Sequence, residues 1–385
     1  MGALLRLGPM PLSVFWSNPS RGVQAAGVGV AGEGGGEVEW LSTVAPGLPG
    51  PWFGGWAFDE RCAWPGFDAE RWILPEVLVW REGRRVWQAA FGPQGTPESQ
   101  LSARLDAVGE EAPLGRVPVS TRSPGRPEAW AALVDLALGA IGAGRFSKVV
   151  VAKVIEVTAG DELPERAILG ALESRHPQCW TFLVRGRDGR AFVGASPETL
   201  CESSDEVFFT EALAGTSAGG QGGTLLRSDK ERREHSSVVD GIREALYPYA
   251  ASVEHPETPS VKVLANVDHL MTPVRARLKA GVDPLAVAKA LHPTPAVAGR
   301  PRLPSLEWLL AHEGFSRGWY AGVVGAMGPG RLNLAVALRS ALLEGRTASV
   351  FVGAGIVEGS QASSEWLETE RKARAMLPAL GVVDV

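Results

Sequence analysis

The stretch WYAGVVGAMGPGRLNLAVALRSALLEGRTASVFVGAGIV, residues 319–357, decides the fold class. Three apolar and β-branched runs, 319–326, 332–342 and 348–357, are separated by Gly328-Pro-Gly330 and Glu344-Gly-Arg346. Connections this short can join only antiparallel neighbours, so the stretch predicts a meander of three strands. A helix over 361–377 closes the chain.

Working outward, Pro127 suits the first position of a helix, where a missing N–H costs nothing, and Trp130, Leu133, Val134, Ala137, Leu138 and Ile141 follow at helical spacing. Residues 148–157 are β-branched and predict a strand. A helix over 164–175 and strands over 180–184, 191–193 and 207–213 follow. Next comes a long helix over 229–246, with Ser228 and Glu231 spaced as a capping box. In the N-terminal part, 23–31 and 37–44 read as strands joined by a Gly32-Glu-Gly-Gly-Gly36 turn, and the proline-rich 113–126 reads as a connector. Strands come in groups rather than alternating with helices, which favours α+β with antiparallel sheets over a doubly wound parallel sheet.

The 385 residues, 45% of them hydrophobic, are enough for a large core. Length alone allows roughly two to three domains. The net charge of −5 and the lack of long like-charge runs offer no footprint for nucleic acid or an anionic membrane. No segment reaches the ~20 apolar residues of a membrane span. The N-terminal apolar run is interrupted by Pro9 and Pro11 and is too short for a signal peptide. Cys62, Cys179 and Cys201 are widely spaced and read as reduced, packed thiols. A cytoplasmic protein, monomeric or weakly dimeric, is the expectation.

Several motifs fail on context. Gly27-Val-Gly-Val-Ala-Gly32 fits GxGxxG, but a turn and a strand follow it where a dinucleotide site needs a helix. There is no Walker A lysine, no HExxH, no zinc-ligand spacing among the six histidines and no GxSxG elbow.

Four constellations carry possible chemistry. Glu231 and Glu234 lie three apart on one expected helix, and Glu365 and Glu368 three apart on another. Each pair shares a helix face, so the four form either an oxygen-donor set for a hard cation or solvated helix surface. Lys148 begins an apolar strand, where desolvation favours the neutral amine of a general base, or it snorkels to water. Glu198 follows Pro197 out of a tight turn, as a partly buried acid or an exposed turn carboxylate. Arg339 shares a strand face with Ala335, Ala337 and Ala341, a floor with room for a carboxylate ligand, or for an interior ion pair. The glycine run 352–359 follows a strand and either brings backbone N–H groups to an anion or simply ends the strand.

Taken together, the segments 147–153 (SKVVVAK), 194–200 (GASPETL), 211–216 (EALAGT), 229–242 (DKERREHSSVVDGI), 266–273 (NVDHLMTP), 291–302 (LHPTPAVAGRPR), 315–325 (FSRGWYAGVVG), 335–342 (AVALRSAL) and the glycine run with its helix (353–373) resemble the chorismate-utilising enzymes. The similarity is dense from about 146 to 377, with a weaker match at 53–59 (FGGWAFD). It implies a single large α+β unit of two packed antiparallel sheets flanked by helices. Residues 1–120 would be its variable N-terminal part and 121–385 its chorismate-binding catalytic region.

The resemblance is nearest to isochorismate synthases. It implies an Mg²⁺-dependent isomerase acting on chorismate, in menaquinone or siderophore biosynthesis. Lys148 falls where isochorismate and salicylate synthases have a water-activating lysine, and Glu198 would be the acid for the departing C4 hydroxyl. Glu234 and Glu365 would hold the cation, with Glu231 and Glu368 on its waters. Arg339, Lys372 and the Gly353 to Gly355 backbone would take the enolpyruvyl carboxylate. Ala214, Gly215, Thr216, His269 and Tyr320 would line the ring. Aminodeoxychorismate synthases carry a nucleophilic lysine at the place of Ala214, and anthranilate synthases lack a lysine at that of Lys148. Both features turn the reading away from amination. Salicylate synthase, which adds pyruvate elimination, is the alternative, and a non-catalytic chorismate-binding paralogue a further one. One departure stands out: Gly219 occupies the place of the arginine in the family's Gly-Thr-x-x-Arg-Gly pattern.

Overall fold

Lys148 opens a long strand, Lys148–Ala159, which pairs antiparallel along nearly its whole length with Thr347–Val357. The β-branched run expected there (Val149, Val150, Val151, Val154, Ile155, Val157) packs on a pleated, two-sided buried surface that suits such side chains. The computed structural model of the chain describes residues 4, 10–34, 52–92, 96, 98–107, 114–204, 206–218, 220–263, 267–328 and 331–383.

Among these residues two antiparallel sheets form. The larger has eleven strands, in the order Gly299–Arg300, Lys148–Ala159, Thr347–Val357, Ser340–Glu344, Ala191–Ser196, Trp180–Arg185, Leu12–Asn18, Val23–Val28, Val77–Glu82 and Arg85–Ala90, with Ser120–Ser123 also paired to Lys148–Ala159. The smaller has ten: Ala250–Glu254, Val267–Leu278, Val207–Ala218, Thr199–Ser204, Arg331–Val336, Val323–Gly328, Trp52–Trp56, Glu70–Leu74 and Gly32–Gly34, with Ser260–Val263 on Val267–Leu278. The fold is therefore α+β with two large antiparallel sheets, as the resemblance implied. Strands from both sides of residue 120 hydrogen-bond within each sheet.

Alternation along each strand divides the core. Val14, Trp16, Phe182 and Phe192 share a cluster with Phe53, Trp72 and Phe208 of the smaller sheet. Phe15, Leu183 and Val193 point the other way and pack with Ile168 and Leu172 of the Glu165–Arg175 helix. The three cysteines are buried and unbridged.

The main correction concerns the expected three-strand meander. Residues 332–342 are not one strand: Arg331–Val336 belongs to the smaller sheet and Ser340–Glu344 to the larger. The chain crosses between sheets at 337–339, where Leu338 N–H bonds back to Val336 O and Arg339 adopts a left-handed φ of 50°. Alternation therefore does not run through Arg339, and the shared face assigned to Ala335, Ala337, Arg339 and Ala341 does not exist. A parallel handover occurs where Ala191–Ser196 of the larger sheet passes through Pro197 and Glu198 to Thr199–Ser204 of the smaller. Proline, with no N–H to donate, suits a point where the ladder changes sheet. The two crossings lie side by side: Ala195 N–H donates to Arg339 O at 3.0 Å and Val336 N–H to Glu198 O at 3.1 Å.

Smaller differences have local causes. The strand expected from 319 starts at Val323, because turn bonds from Tyr320 N–H to Arg317 O and from Gly322 N–H to Trp319 O hold the preceding residues. Gly32–Gly34 is a short strand on Glu70–Leu74 rather than a turn, and Val23–Val28 lies between Leu12–Asn18 and Val77–Glu82. The expected strand 37–44 lies outside the described residues. The connector 113–126 contains the strand Ser120–Ser123. Residues 352–357 lie inside a strand rather than after one. The closing helix spans Ala362–Ala373, and a short 3-10 turn follows at Leu377–Leu380. The helices Pro127–Gly142 and Asp229–Leu246 begin where the sequence placed them, the latter with Ser228 Oγ accepting from Glu231 N–H. No helix among the described residues is long and apolar enough to cross a membrane.

Candidate active site

A cavity of about 780 Å³, its mouth included, gathers side chains from both sheets and two helices. The larger sheet supplies Lys148, Val150, Gly353 and Gly355, and the smaller sheet Leu213, Ala214, Gly215, Thr216 and His269. The two crossings supply Glu198 and Arg339, and the helices Glu234, Glu368 and Lys372. Tyr320 adds an aromatic wall, stacked on Phe351 at 5.3 Å. All the substrate-contact and acid–base residues expected from the sequence thus reach one cavity.

The carboxylate doublets divide. Glu234 and Glu368 line the cavity. Glu231, one turn earlier, accepts the Thr216 N–H at 3.0 Å, and Glu365 is only 4% exposed in the first turn of its helix. Among the described residues no three His, Cys, Asp or Glu side chains converge as a metal centre. The two cavity carboxylates have lysine partners: Lys148 Nζ donates to Glu234 Oε1 and Lys372 Nζ to Glu368 Oε1, each at 2.8 Å. The sequence argument for Lys148 weighed only apolar neighbours. The structure keeps the burial, at 3% exposure, and adds this carboxylate. Gly355 makes room for the pair, since a Cβ there would lie 3.1 Å from Glu234 Oε1 and 3.2 Å from Lys148 Cε.

Glu198 is 4% exposed, and burial, followed by the charge of Glu211, pushes its carboxyl up to about 8. Lys262, Lys148 and Lys372 act in the opposite direction. Its backbone is fixed on both sides: Glu198 N–H donates to Ser196 Oγ, Ser196 Oγ–H donates to Val336 O, and Glu198 O accepts from Val336 N–H. A carboxyl of this kind holds its proton at neutral pH and can serve as a general acid.

Arg339 Nη2 lies 3.3 Å from His269 Nε2, and His269 Nδ1 lies 3.2 Å from both Gly215 O and Thr216 Oγ1. Arg339 can only donate, so Nε2 is the acceptor and Nδ1 carries the proton. Burial and the Arg339 charge hold His269 well below its usual range, hence neutral. Lys372 also donates to Gly353 O at 2.9 Å. Gly215 needs its glycine: φ is +78° and Glu231 Oε2 lies 3.3 Å from where a Cβ would stand.

Sequence reasoning gave no role to Glu211, Lys262 or Arg317. Glu211, an acidic residue inside the apolar strand Val207–Ala218, was the available signal. Buried Arg317 pairs with Glu313 and donates to Val150 O and Val297 O, and Val150, Val297 and Arg317 all line the cavity. Glu313 and Arg317 both lie past the end of the Arg302–His312 helix, with Gly314 at a φ of 71° between them, so helical spacing gave no signal for the pair. Gly219, the departure from the family pattern, lies outside the described residues.

A family model described as "chorismate binding enzyme" matches residues 43–381. The chain is 37% identical over 354 residues to the salicylate biosynthesis isochorismate synthase of Pseudomonas aeruginosa, covering 86% of this chain and 74% of that protein. It is 32% identical over 317 residues to the isochorismate synthase MenF of Haemophilus influenzae, covering 79% and 74%. Among solved structures, MenF, the menaquinone-specific isochorismate synthase of Escherichia coli, superposes with a TM-score of 0.83 at 26% identity over 98% of this chain and 91% of that one. Anthranilate synthase component I of Streptococcus pneumoniae shares the fold, with a TM-score of 0.75 at 22% identity over 88% and 82% of the two chains.

Proposed function

The chain belongs to the family of chorismate-binding enzymes, and on that premise we propose that it is an isochorismate synthase, an isomerase that moves the ring hydroxyl of chorismate from C4 to C2. The observation that carries this reading is the arrival of Lys148, Glu198 and Arg339 in one cavity from three separate parts of the chain.

In the proposed reaction water adds at C2, and Lys148 Nζ, as the free amine, takes the proton it releases. The ring double bonds shift and the C4–O bond breaks. Glu198 gives its proton to the departing hydroxyl, which leaves as water. Transfer of the proton from Lys148 back to Glu198 closes the cycle without net change in either. The carboxyl side of this demand is met by the burial of Glu198, which keeps its proton. Arg339, Lys372 and the Gly353 to Gly355 strand hold the enolpyruvyl carboxylate, while Ala214, Gly215, Thr216, His269 and Tyr320 hold the ring.

The donor set fits Mg²⁺. It consists of carboxylates alone: Glu234 and Glu368 face the cavity, Glu365 lies buried one turn before Glu368 on the same helix, and this ion typically takes only one or two carboxylates directly while keeping several waters. Convergence of three protein ligands is therefore not required. Glu234 and Glu365 would hold the ion, with Glu231 and Glu368 on its waters. When bound, it supplies positive charge for the ring carboxylate.

The test is chromatography of the products formed from chorismate with and without Mg²⁺. Isochorismate alone, lost on chelation, is expected. Release of pyruvate with salicylate would replace this reading with salicylate synthase, and turnover undiminished by chelator would remove the metal.

A further inference from the structure

The turn at Glu198 carries a further, partly buried ion pair whose members lie outside the cavity lining. Glu211, 7% exposed, sits in the strand Val207–Ala218 opposite Pro273. Its Oε1 accepts the Thr199 N–H at 2.9 Å and a bond from Lys262 Nζ at 2.6 Å. Lys262 comes from a different strand, Ser260–Val263, opposite His269, and its Nζ also donates to Pro197 O at 2.7 Å. One carboxylate and one ammonium thus grip the peptide units on either side of Glu198, the carbonyl before it and the N–H after it.

We propose that Glu211 is a positioning residue for the Glu198 acid and that Lys262 is its counterweight. The pair clamps the turn that aims the carboxyl, and its two charges act on that carboxyl with opposite sign.

The geometry explains the arrangement. The turn 197–198 is where the chain leaves one sheet for the other, so the ladder cannot supply every bond there, and side chains take over. A lone Glu211 would crowd Glu198 with like charge and a lone Lys262 would draw off its proton, whereas together they fix the turn and leave a moderate bias. Lys148 and Lys372 also favour its ionised form, and the charge of Glu211 opposes them. Arg317, Arg339, Glu234 and Glu368 are the further charged side chains lining the cavity that Glu198 faces.

This inference rests on the acid role given to Glu198 above, and the experiment separates the two. Turnover of chorismate with Mg²⁺ is followed from about pH 6 to about pH 10 for wild type, E211Q, E211A, K262M and E198Q. E211Q keeps an acceptor for Thr199 N–H but loses the charge. It should hold the low-pH plateau while its alkaline limb moves down by about one unit, a roughly tenfold loss above the limb. E211A also drops the clamp and should lower the plateau itself by about tenfold. K262M should move the limb up. Limbs of E211Q and K262M that stay with wild type, or move in the same direction, overturn the proposal. If E198Q retains turnover, the acid assignment fails and this inference with it. An inactive E198Q beside an unmoved E211Q sinks the inference alone. Should the Glu211 variants not fold, K262M, on a separate strand, still decides through the upward shift.

Discussion

Lys148 Nζ and Glu234 Oε1, 2.8 Å apart, join the first residue of a strand near one edge of the larger sheet to a helix that packs on the other sheet. Each of the two proposed chemistries, proton abstraction and cation binding, claims one member of this pair. Lys148→Ala is therefore expected to lower kcat by about 10²–10⁴, the range of a lost general base, with a smaller change in KM. Chorismate consumption with Mg²⁺ measures this, and turnover near wild type would remove Lys148 from the mechanism.

Gly355 tests the same pair without touching either charge. A Cβ there meets Glu234 Oε1 at 3.1 Å and Lys148 Cε at 3.2 Å, so Gly355→Ala should displace the pair by a few tenths of an ångström. A 1 Å misplacement can cost about 100-fold, so a loss on the order of fivefold in kcat is expected, with little change in melting temperature. A large drop in melting temperature with unchanged kcat would show that Gly355 serves packing instead.

Glu198 links activity to pH and to stability. Burial, with Glu211 beside it, raises its carboxyl from 4.5 to about 8, so the folded protein keeps a proton that the unfolded chain releases. Its contribution to stability is present below the unfolded value and declines as pH rises through the window from 4.5 to about 8. With Glu198 in the proposed acid role, turnover should fall on the alkaline side of that window. Glu198→Gln should be nearly inactive, yet melt close to wild type at about pH 5 and higher than wild type at about pH 8. Equal melting temperatures at both values would contradict the raised carboxyl.

Arg339 is proposed to hold a carboxylate, and its Nη2 faces the neutral His269. Lysine would keep the charge but lose the planar fork and the contact to Nε2. A lost charge-assisted bond is worth about 1.5–3 kcal/mol, so Arg339→Lys should raise KM by roughly 10–100-fold and leave kcat less affected. Steady-state kinetics give the split, and an unchanged KM would place the substrate carboxylate elsewhere.

Local signals in the sequence were reliable. The β-branched run after Lys148, the proline start at Pro127 and the Ser228 cap all mark elements at the right places, because each depends on neighbouring residues only. The break at Ala337, Leu338 and Arg339 was not legible. The segment alternates like a strand, and its handover depends on bonds to Ala321, Gly322 and Ala195, which no local pattern encodes. That Lys148, Glu198 and Arg339 belong to one cavity could be expected from the segments that resemble the family, but the partners of Lys148 and the clamp around Glu198 could not. Those pairs join residues 86, 51 and 65 positions apart, set by sheet order rather than by spacing.

The bent double ribbon that carries Glu198 on one arm and Arg339 on the other has a consequence for change over time. The proposed proton donor and anchor are mounted on facing arms of a common bracket, so an insertion or slip in either arm would break the register that sets one against the other. Drift toward other substrates or outcomes is therefore constrained along this bracket, and variation in what the enzyme makes should arise on the side of the cavity built by the two glutamate-bearing helices, whose residues can move independently of it.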